Sequence, residues 1–400
     1  MMGGELDIEH HDALLRYLRK TKHLGSREAV LCSTLQGGVS NRTVLVERPN
    51  GESWVIKQAL PKLRVAEDWF SNPERSHREA LGLIWLARLA PPDSITPLVF
   101  EDRAHHLLAM QAVPRPHENW KTRLLAGDVK LDYVVQFGEL LGTIHRRARE
   151  LQNEVALVFN DRTFFETLRL EPYYRFSTVR NPAATDFLHE LISDTLATRV
   201  TLVHGDYSPK NILIHHEDRI AGLPACSASN GAPPHPALSP GGGEGGRRPG
   251  EGERMAYGSN ARPKLETEAP HEGRLVLLDH EVIHFGDPAF DLGFSLTHLL
   301  SKAHHFPARR ADFLQAARWF WEAYRQIAGE IPHLPGLESR AVRHTVACLL
   351  ARVDGRSPLE YLTPAERDRQ REIVLSLISD LPGNVLDLID DFGKKLSTSP

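Results

Sequence analysis

Residues 204–214 read "HGDYSPKNILI" and follow the apolar triplet Thr201-Leu202-Val203. A strand-like run thus delivers one acid, Asp206, onto a loop, and five positions later an amide, Asn211, opens a second apolar run. An Asp beside a strand end is by itself an ordinary turn former. The stretch acquires chemical meaning only if a second acid can share a hard cation with Asn211. That acid stands far along the chain, in "RLVLLDHEVIHFGDPAFDLG" (residues 274–293), where Leu275-Val276-Leu277-Leu278 leads into Asp279 and Glu281 follows. With the intervening residues looped out, "NILIHHED" and "RLVLLD" become adjacent strands of one hairpin, and Asn211 meets Asp279 at its mouth. Such oxygen donors suit Mg²⁺, which takes a few protein ligands plus substrate phosphate oxygens and keeps its remaining waters. Asp206, on the loop just before, would then face a substrate hydroxyl approaching the phosphate. Phosphoryl transfer asks mainly for positioning and charge neutralisation, so these residue types are sufficient in kind.

Working outward, "TVLVERPNGESWVIKQAL" (43–60) shows two strand-like runs joined by Pro49-Asn50-Gly51, and Asn-Gly between apolar runs is the strongest short hairpin signal. A helix is expected over about 8–20, and Ala80, Leu83, Ile84 and Ala87 recur at helical spacing. "HHLLAMQAV" (105–113) reads as extended. Residues 31–113 therefore form a small sheet with one helix packed on it. Val134, Phe137, Leu141 and Ile144 give the stretch 131–150 one buried helical face, and from 288 onward helical patterns dominate. The expected organisation is an N-terminal sheet-bearing lobe with a leading helix (1–113) and a helical lobe (114–400). Two lobes also fit the 400-residue length, which exceeds what one core usually supports. Residues 224–273, crowded with Gly, Pro, Ser and Glu, read as a disordered low-complexity insertion in the second lobe. Its literal G-x-G-x-x-G match, Gly241 to Gly246, lacks the strand before and helix after that a dinucleotide fold needs.

Composition narrows the function classes. With a net charge of −4 and no basic cluster beyond "GGRRPG", a nucleic-acid surface is excluded. The three cysteines, Cys32, Cys226 and Cys348, are dispersed, which fits a reducing compartment and excludes a Cys-rich zinc site. No apolar run reaches membrane-spanning length, and the amino terminus lacks the basic end and apolar core of a signal peptide. A cytoplasmic location without membrane partners is expected; the oligomeric state, monomer or homodimer, is left open.

"HGDYSPKNIL" followed by "VLLDHEVIHFGDPAFDLG" resembles the aminoglycoside phosphotransferase and choline kinase family, relatives of the protein kinases. The kinase catalytic loop H-R-D-L-x-x-x-N has the same five-residue separation as Asp206 and Asn211. The resemblance implies an α+β, protein-kinase-like two-lobed fold, with a small antiparallel sheet in front and a mainly helical lobe behind. It makes residues 1–113 the nucleotide-binding lobe and 114–400 the catalytic and acceptor lobe. It implies an enzyme that uses ATP and Mg²⁺ to phosphorylate a hydroxyl of a small-molecule acceptor. Asp206 is then the catalytic base, Asn211 and Asp279 hold the metal, and Glu281 either supports them or touches the metal directly. Lys57 would pair with the nucleotide phosphates and be held by Glu79. Gly37 and Gly38 would let backbone approach phosphate, and backbone groups of Gln111 and Val113 would bond adenine. A narrower similarity to the methylthioribose kinases lies in "VIKQALPKLRVAEDW", "FFETLRLEPYY" and "LLARVDGRSPLEYL". It implies a sugar acceptor bound through Arg352; Asn211 follows the wider family instead. Aminoglycoside or amino-alcohol kinase, and a catalytically silent nucleotide-binding pseudokinase, are the alternatives. His204, Asp287 and Asp291 are expected to brace the catalytic loop. The doublets His10-His11, His105-His106, His215-His216 and His304-His305 are expected at the surface.

Overall fold

The computed structural model describes residues 6–35, 38–65, 68–216 and 272–398. The expected insertion, apart from Glu272 and Gly273, lies outside the described residues, as do Gly37 and Cys226.

The first lobe opens with α1 (His11–Lys20) and a five-stranded antiparallel sheet of β1 (Leu31–Thr34), β2 (Asn41–Glu47), β3 (Ser53–Ala59), β4 (Leu98–Asp102) and β5 (Leu107–Gln111), in the order β1-β2-β3-β5-β4. Gly51 adopts φ +88° in the β2–β3 turn, a conformation that a side chain would strain. Successive side chains of a strand face opposite ways, and β5 shows the consequence. Leu107 and Ala109 pack with Val44, Val46, Trp54, Ile56 and the α1 residues Leu14 and Leu18. Leu108 and Met110 pack on the other face with Ala80, Leu83 and Leu86 of α2 (Arg75–Leu89). Lys57 lies directly opposite Leu108 in the ladder, so the lysine shares the face that α2 covers.

The second lobe is helical around two small sheets. After β6 (His117–Asn119) come α3 (Trp120–Leu125), α4 (Leu131–Glu150), α5 (Gln152–Phe159), α6 (Thr163–Phe165), α7 (Phe176–Arg180) and α8 (Thr185–Ala197). Wide π-type turns over Glu166–Arg175 join α6 to α7 and contain Pro172, whose missing N–H cannot serve a regular helix. Strands β7 (Thr201–Val203), β8 (Ile212–His215), β9 (Arg274–Leu277) and β10 (His284–Gly286) flank the two motifs singled out in the sequence. The expected hairpin is present: β8 and β9 pair antiparallel from Ile212↔Leu277 to His215↔Arg274. Then follow α9 (Ala289–His305), α10 (Arg310–Ile327), α11 (Leu337–Asp354), α12 (Pro364–Ser379) and α13 (Val385–Ser397). No helix among the described residues is long and apolar enough to cross a membrane.

Every residue of α9 from Ala289 to His304 is buried, so this helix is the spine of the lobe. Close helix approach explains how it is enclosed. A Cβ on Gly293 would lie 2.5 Å from His344 Cβ of α11, and one on Gly138 of α4 would lie 2.6 Å from Phe320 O of α10. The surface reading of the histidine doublets needs correction at two positions. His215 and His304 are buried, because β8 is the central strand between β6 and β9 and α9 has no solvent face.

Two stability tests follow. Gly138→Val should lower the free energy of unfolding by about 1–3 kcal/mol through overpacking of α4 on α10, read from the denaturant midpoint. His344, fully buried with its ring nitrogens on Tyr174 Oη (2.8 Å) and Thr195 Oγ1 (3.2 Å), is pushed down from 6.5 to about 3 by burial and by Arg340 and Arg343. The unfolded chain therefore takes up a proton below pH 6.5 that the folded chain refuses until about 3. Stability should fall as pH drops through that window, by at most about 1.4 kcal/mol per unit. His344→Phe should flatten the slope, and an unchanged slope would assign the pH dependence to other groups.

Candidate active site

The loop after β7 is hung on a single carboxylate. Asp291, at the start of α9 and fully buried, accepts from the backbone N–H of His204 (2.7 Å) and of Gly205 (2.8 Å), and meets His145 Nε2 at 3.3 Å. Gly205 has φ +77°, and a Cβ there would press on Val282 at 3.0–3.1 Å, so the turn needs glycine twice over. His204 joins its Nδ1 to the Asp206 N–H (3.2 Å) and its Nε2 to His280 Nδ1 (3.1 Å). Burial holds both imidazoles below their ordinary pKa, which suits a structural bridge between the loops of Asp206 and Asp279.

Asp206 is fixed by one of its two oxygens. Oδ2 accepts from Asn211 Nδ2 (2.7 Å) and pairs with Arg169 Nη2 (2.9 Å). Among the described residues no donor lies on Oδ1. Asn211 spends its Nδ2 on Asp206, leaving the amide oxygen as its acceptor end.

Across the cleft, Lys57 Nζ donates to Glu79 Oε1 (2.6 Å) and Asp279 Oδ1 (3.1 Å). Asp279 takes φ +67°, uncommon for a residue with a side chain, at the end of the run that follows β9. Glu281 Oε2 accepts from Arg75 Nε (3.1 Å) and Asn41 Nδ2 (3.3 Å). Burial pulls Lys57 down, but Asp279 and Glu79 outweigh it and the net shift is upward. Burial pushes Glu79 up to about 7 against the pull of Lys57. For Asp279 burial acts upward, yet Lys57, Lys210 and Arg169 turn the net shift downward.

Single oxygens of Glu79, Asp279 and Glu281 lie within 4.8 Å of one another. An all-oxygen set fits a hard divalent cation. Each of the three acids already accepts from a neighbouring donor, Glu79 and Asp279 from Lys57 and Glu281 from Arg75 and Asn41; Asp279 is the one set beside the amide of Asn211, since Leu278 N–H ties its strand to Asn211 O at 2.9 Å.

The remaining expected residues are placed as follows. Gly38 is exposed before β2. The Gln111 N–H is taken by Pro97 O (2.9 Å). Gln111 and Val113 line a recess of about 310 Å³ with Ile95, Thr96 and Val276. Neither Lys57, Asp206 nor Asp279 lines it, so it is not the reacting centre. Arg352 lies inside the second lobe, with Nη1 on Tyr173 Oη (3.1 Å) and Ser357 O (2.5 Å).

Two arginines escaped the sequence reading. Arg169 was quoted within "FFETLRLEPYY" without a role. Arg75 stands four residues before Glu79 and seven before Gly82, one face of α2, where a Cβ on Gly82 would lie 2.7 Å from His280 Cβ. That spacing of Arg, Glu and Gly was the available signal for a polar helix face pressed on the site. Arg75 is wholly buried and also holds the carbonyls of Ser40, Leu60 (2.7 Å) and Ser71 (3.2 Å).

Residues 32–223 match the model of the phosphotransferase enzyme family, APH. Methylthioribose kinases 2 and 1 of Oryza sativa subsp. japonica are 32% and 33% identical to the chain over 121 residues, each match taking in 29% of this chain and 28% of the rice protein. The match therefore covers well under a third of those relatives' length. Among solved structures, amicoumacin kinase hAmiN in complex with AMP-PNP, Ca²⁺ and Ami aligns with a TM-score of 0.48 at 12% identity, over 94% of this chain and 97% of that one. Macrolide 2′-phosphotransferase MphH from Brachybacterium faecium aligns with 0.46 at 16% identity, over 94% and 99%.

Removing Arg75 would strand Glu281 in a buried position. Arg75→Met should destabilise the chain by about 3–5 kcal/mol, and adding Glu281→Gln should recover a measurable part. Chemical denaturation of the single and double variants checks this; additive losses would show that the two side chains act independently.

Proposed function

We propose that this chain, whose residues 32–223 match the phosphotransferase enzyme family model, transfers the terminal phosphoryl group of ATP to a hydroxyl of a small molecule with the help of Mg²⁺. The observation that carries the reading is the meeting of two sets. Lys57 binds Glu79 and Asp279, Asn211 and Arg169 bind Asp206, and the β8–β9 pairing brings the Asp279 set beside the Asn211 set.

Each role follows from geometry and charge. Lys57, raised in pKa and oriented by Glu79, remains a cation able to hold phosphate oxygens. Asp206, with Oδ2 fixed by Asn211 and Arg169, turns Oδ1 to the acceptor: the acceptor O–H gives its proton to Oδ1 as its oxygen forms the new bond to the terminal phosphorus, and the bond from that phosphorus to the bridging oxygen breaks, its electron pair leaving with ADP. Asn211 and Asp279 would hold Mg²⁺, which when bound supplies charge neutralisation at the phosphate oxygens. Gly38, with Gly37, would let the loop before β2 approach phosphate. The Gln111 carbonyl and the Val113 N–H would meet the adenine edge. Arg169 was not foreseen, and it acts on the reaction through Asp206.

For the acceptor, a neutral or anionic sugar is favoured over an aminoglycoside or amino alcohol, because the second lobe buries the cationic side chains Lys302 and Arg352. A silent pseudokinase is disfavoured by the presence of Lys57, Asp206, Asn211 and Asp279 together. A cytoplasmic location goes with this reading.

Asp206→Asn should lower kcat by about 10²–10⁴-fold while nucleotide affinity stays nearly unchanged. Asp279→Ala should instead weaken metal–nucleotide binding. A panel of hydroxyl acceptors with ATP, scored by ADP release and by binding calorimetry, measures both. Wild-type turnover by Asp206→Asn on the acceptor it phosphorylates would remove Asp206 from the chemistry.

A further inference from the structure

Buried charges in this protein come with partners: Lys57 with Glu79, Arg75 with Glu281, Arg169 with Asp206, Arg340 with Asp287. Three buried cations break the pattern: Arg162, which donates to the carbonyls of Thr195 (3.3 Å) and Leu196 (2.7 Å), and two that lie on α9 and α11. Lys302, on the enclosed helix α9, has no exposed surface, and its one assigned hydrogen bond runs to His298 O of the same helix at 3.1 Å. Its Nζ lies 5.3 Å from the centre of the Tyr361 ring. Arg352 of α11 donates only to neutral oxygens, those of Tyr173 and Ser357, and its Nε has no partner. Among the described residues no carboxylate lies within ion-pair distance of either.

Unused polar atoms gather around them. His298 Nε2 and Tyr361 Oη are buried without a hydrogen-bond partner. The charges of Arg352, Lys302, Lys121 and Lys210 all bear on His298. The nearby acid, Glu360, is paired with Lys121. Burial, with Lys121 and Arg352, brings Lys302 down to about 7, a penalty that an arriving negative charge would reverse. Uncompensated buried cations and orphaned donors are costly, and they are tolerated where a ligand completes them.

The cluster is also placed to serve the reaction. Asp291, Ser295, His298 and Lys302 fall at intervals of four, three and four, one face of α9. The first two hold the catalytic loop, Asp291 at His204 N–H and Ser295 at Tyr207 O (3.0 Å). His298 follows roughly 10 Å along the axis from Asp291, at 1.5 Å per residue. Lys210, between Asp206 and Asn211 in sequence, is felt at both Asp279 and His298.

Resting on the transferase reading above, we infer that Lys302, Arg352, His298 and Tyr361 form a recess for an anionic group, carboxylate or phosphate, carried by the acceptor. Substrates of this enzyme are then acidic sugars or polyols, and the recess fixes the end remote from the reacting hydroxyl.

Calorimetry on the full chain with ribose, ribonate and ribose 5-phosphate tests this. At least one anionic sugar should bind tenfold or more tightly than ribose, and the two anionic arms distinguish carboxylate from phosphate. Lys302→Met should erase the preference while the ligand-free melting temperature holds or rises, since an unpaired buried charge is removed. Arg352→Met provides a second variant should the first fail to fold. Equal binding of the three sugars, or a preference that survives both substitutions, would overturn the recess. ADP release is scored in parallel. Transfer to neutral sugars alone overturns the recess and leaves the transferase reading intact, whereas anion-selective binding without transfer to any acceptor upholds the recess and rejects that reading.

Discussion

A single ammonium shared by two carboxylates sets the geometry of the cleft. Lys57 belongs to the sheet, Glu79 to α2 and Asp279 to the strand run of the second lobe, so their 2.6 and 3.1 Å contacts tie three elements at one point. Desolvating three charges is expensive, and the arrangement is favourable only because each charge finds an opposite partner at contact distance. Arg75 and Glu281 repeat the principle one turn along α2. Together the two ion pairs press the helix onto Asp279 and His280, and Gly82 removes the side chain that would hold them apart.

Much of this was legible before any coordinates, and the reasons are physical. The β2–β3 turn was readable because Asn-Gly fits its left-handed position. The β8–β9 hairpin was readable because two apolar runs each ended at a residue with metal-ligand chemistry, whatever length of chain lay between. The closeness of Asp206 to Asn211, and of Lys57 to Glu79, required family resemblance as well as pattern. What stayed hidden were residues whose importance lies in a three-dimensional partner. Arg169 sits in wide helical turns around Pro172, where no regular spacing points at Asp206. Lys302 reads in sequence as an ordinary lysine near a helix end, and only the enclosure of α9 by neighbouring helices makes it unusual. His215 and His304 were misplaced for the same reason, since burial of a doublet depends on what covers it.

Two turns of unusual backbone stand where the two halves of the site meet. Gly205 and Asp279 both hold positive φ, and the His204–His280 contact spans from one to the other. Each turn is over-determined by Asp291 or by Lys57, so the backbone cost is met by fixed partners. A site arranged in this way has little freedom to relax when one member is lost, and coupling among its residues should exceed what their pairwise contacts imply.

The β8–β9 ladder has a further consequence. Its chemical end carries Asn211 and Asp279; its other end, at His215 and Arg274, is where the chain departs and returns. Alignment of the two strands is written in their own register and in the bonds from Leu277 N–H to Ser94 O and from Leu278 N–H to Asn211 O, each 2.9 Å. None of these depends on what connects the strands, and loop-closure entropy grows only as the logarithm of connection length. The far end of this hairpin is therefore a permissive address in the fold. A longer connection there adds only a logarithmic entropy cost and touches none of the bonds that align the two strands.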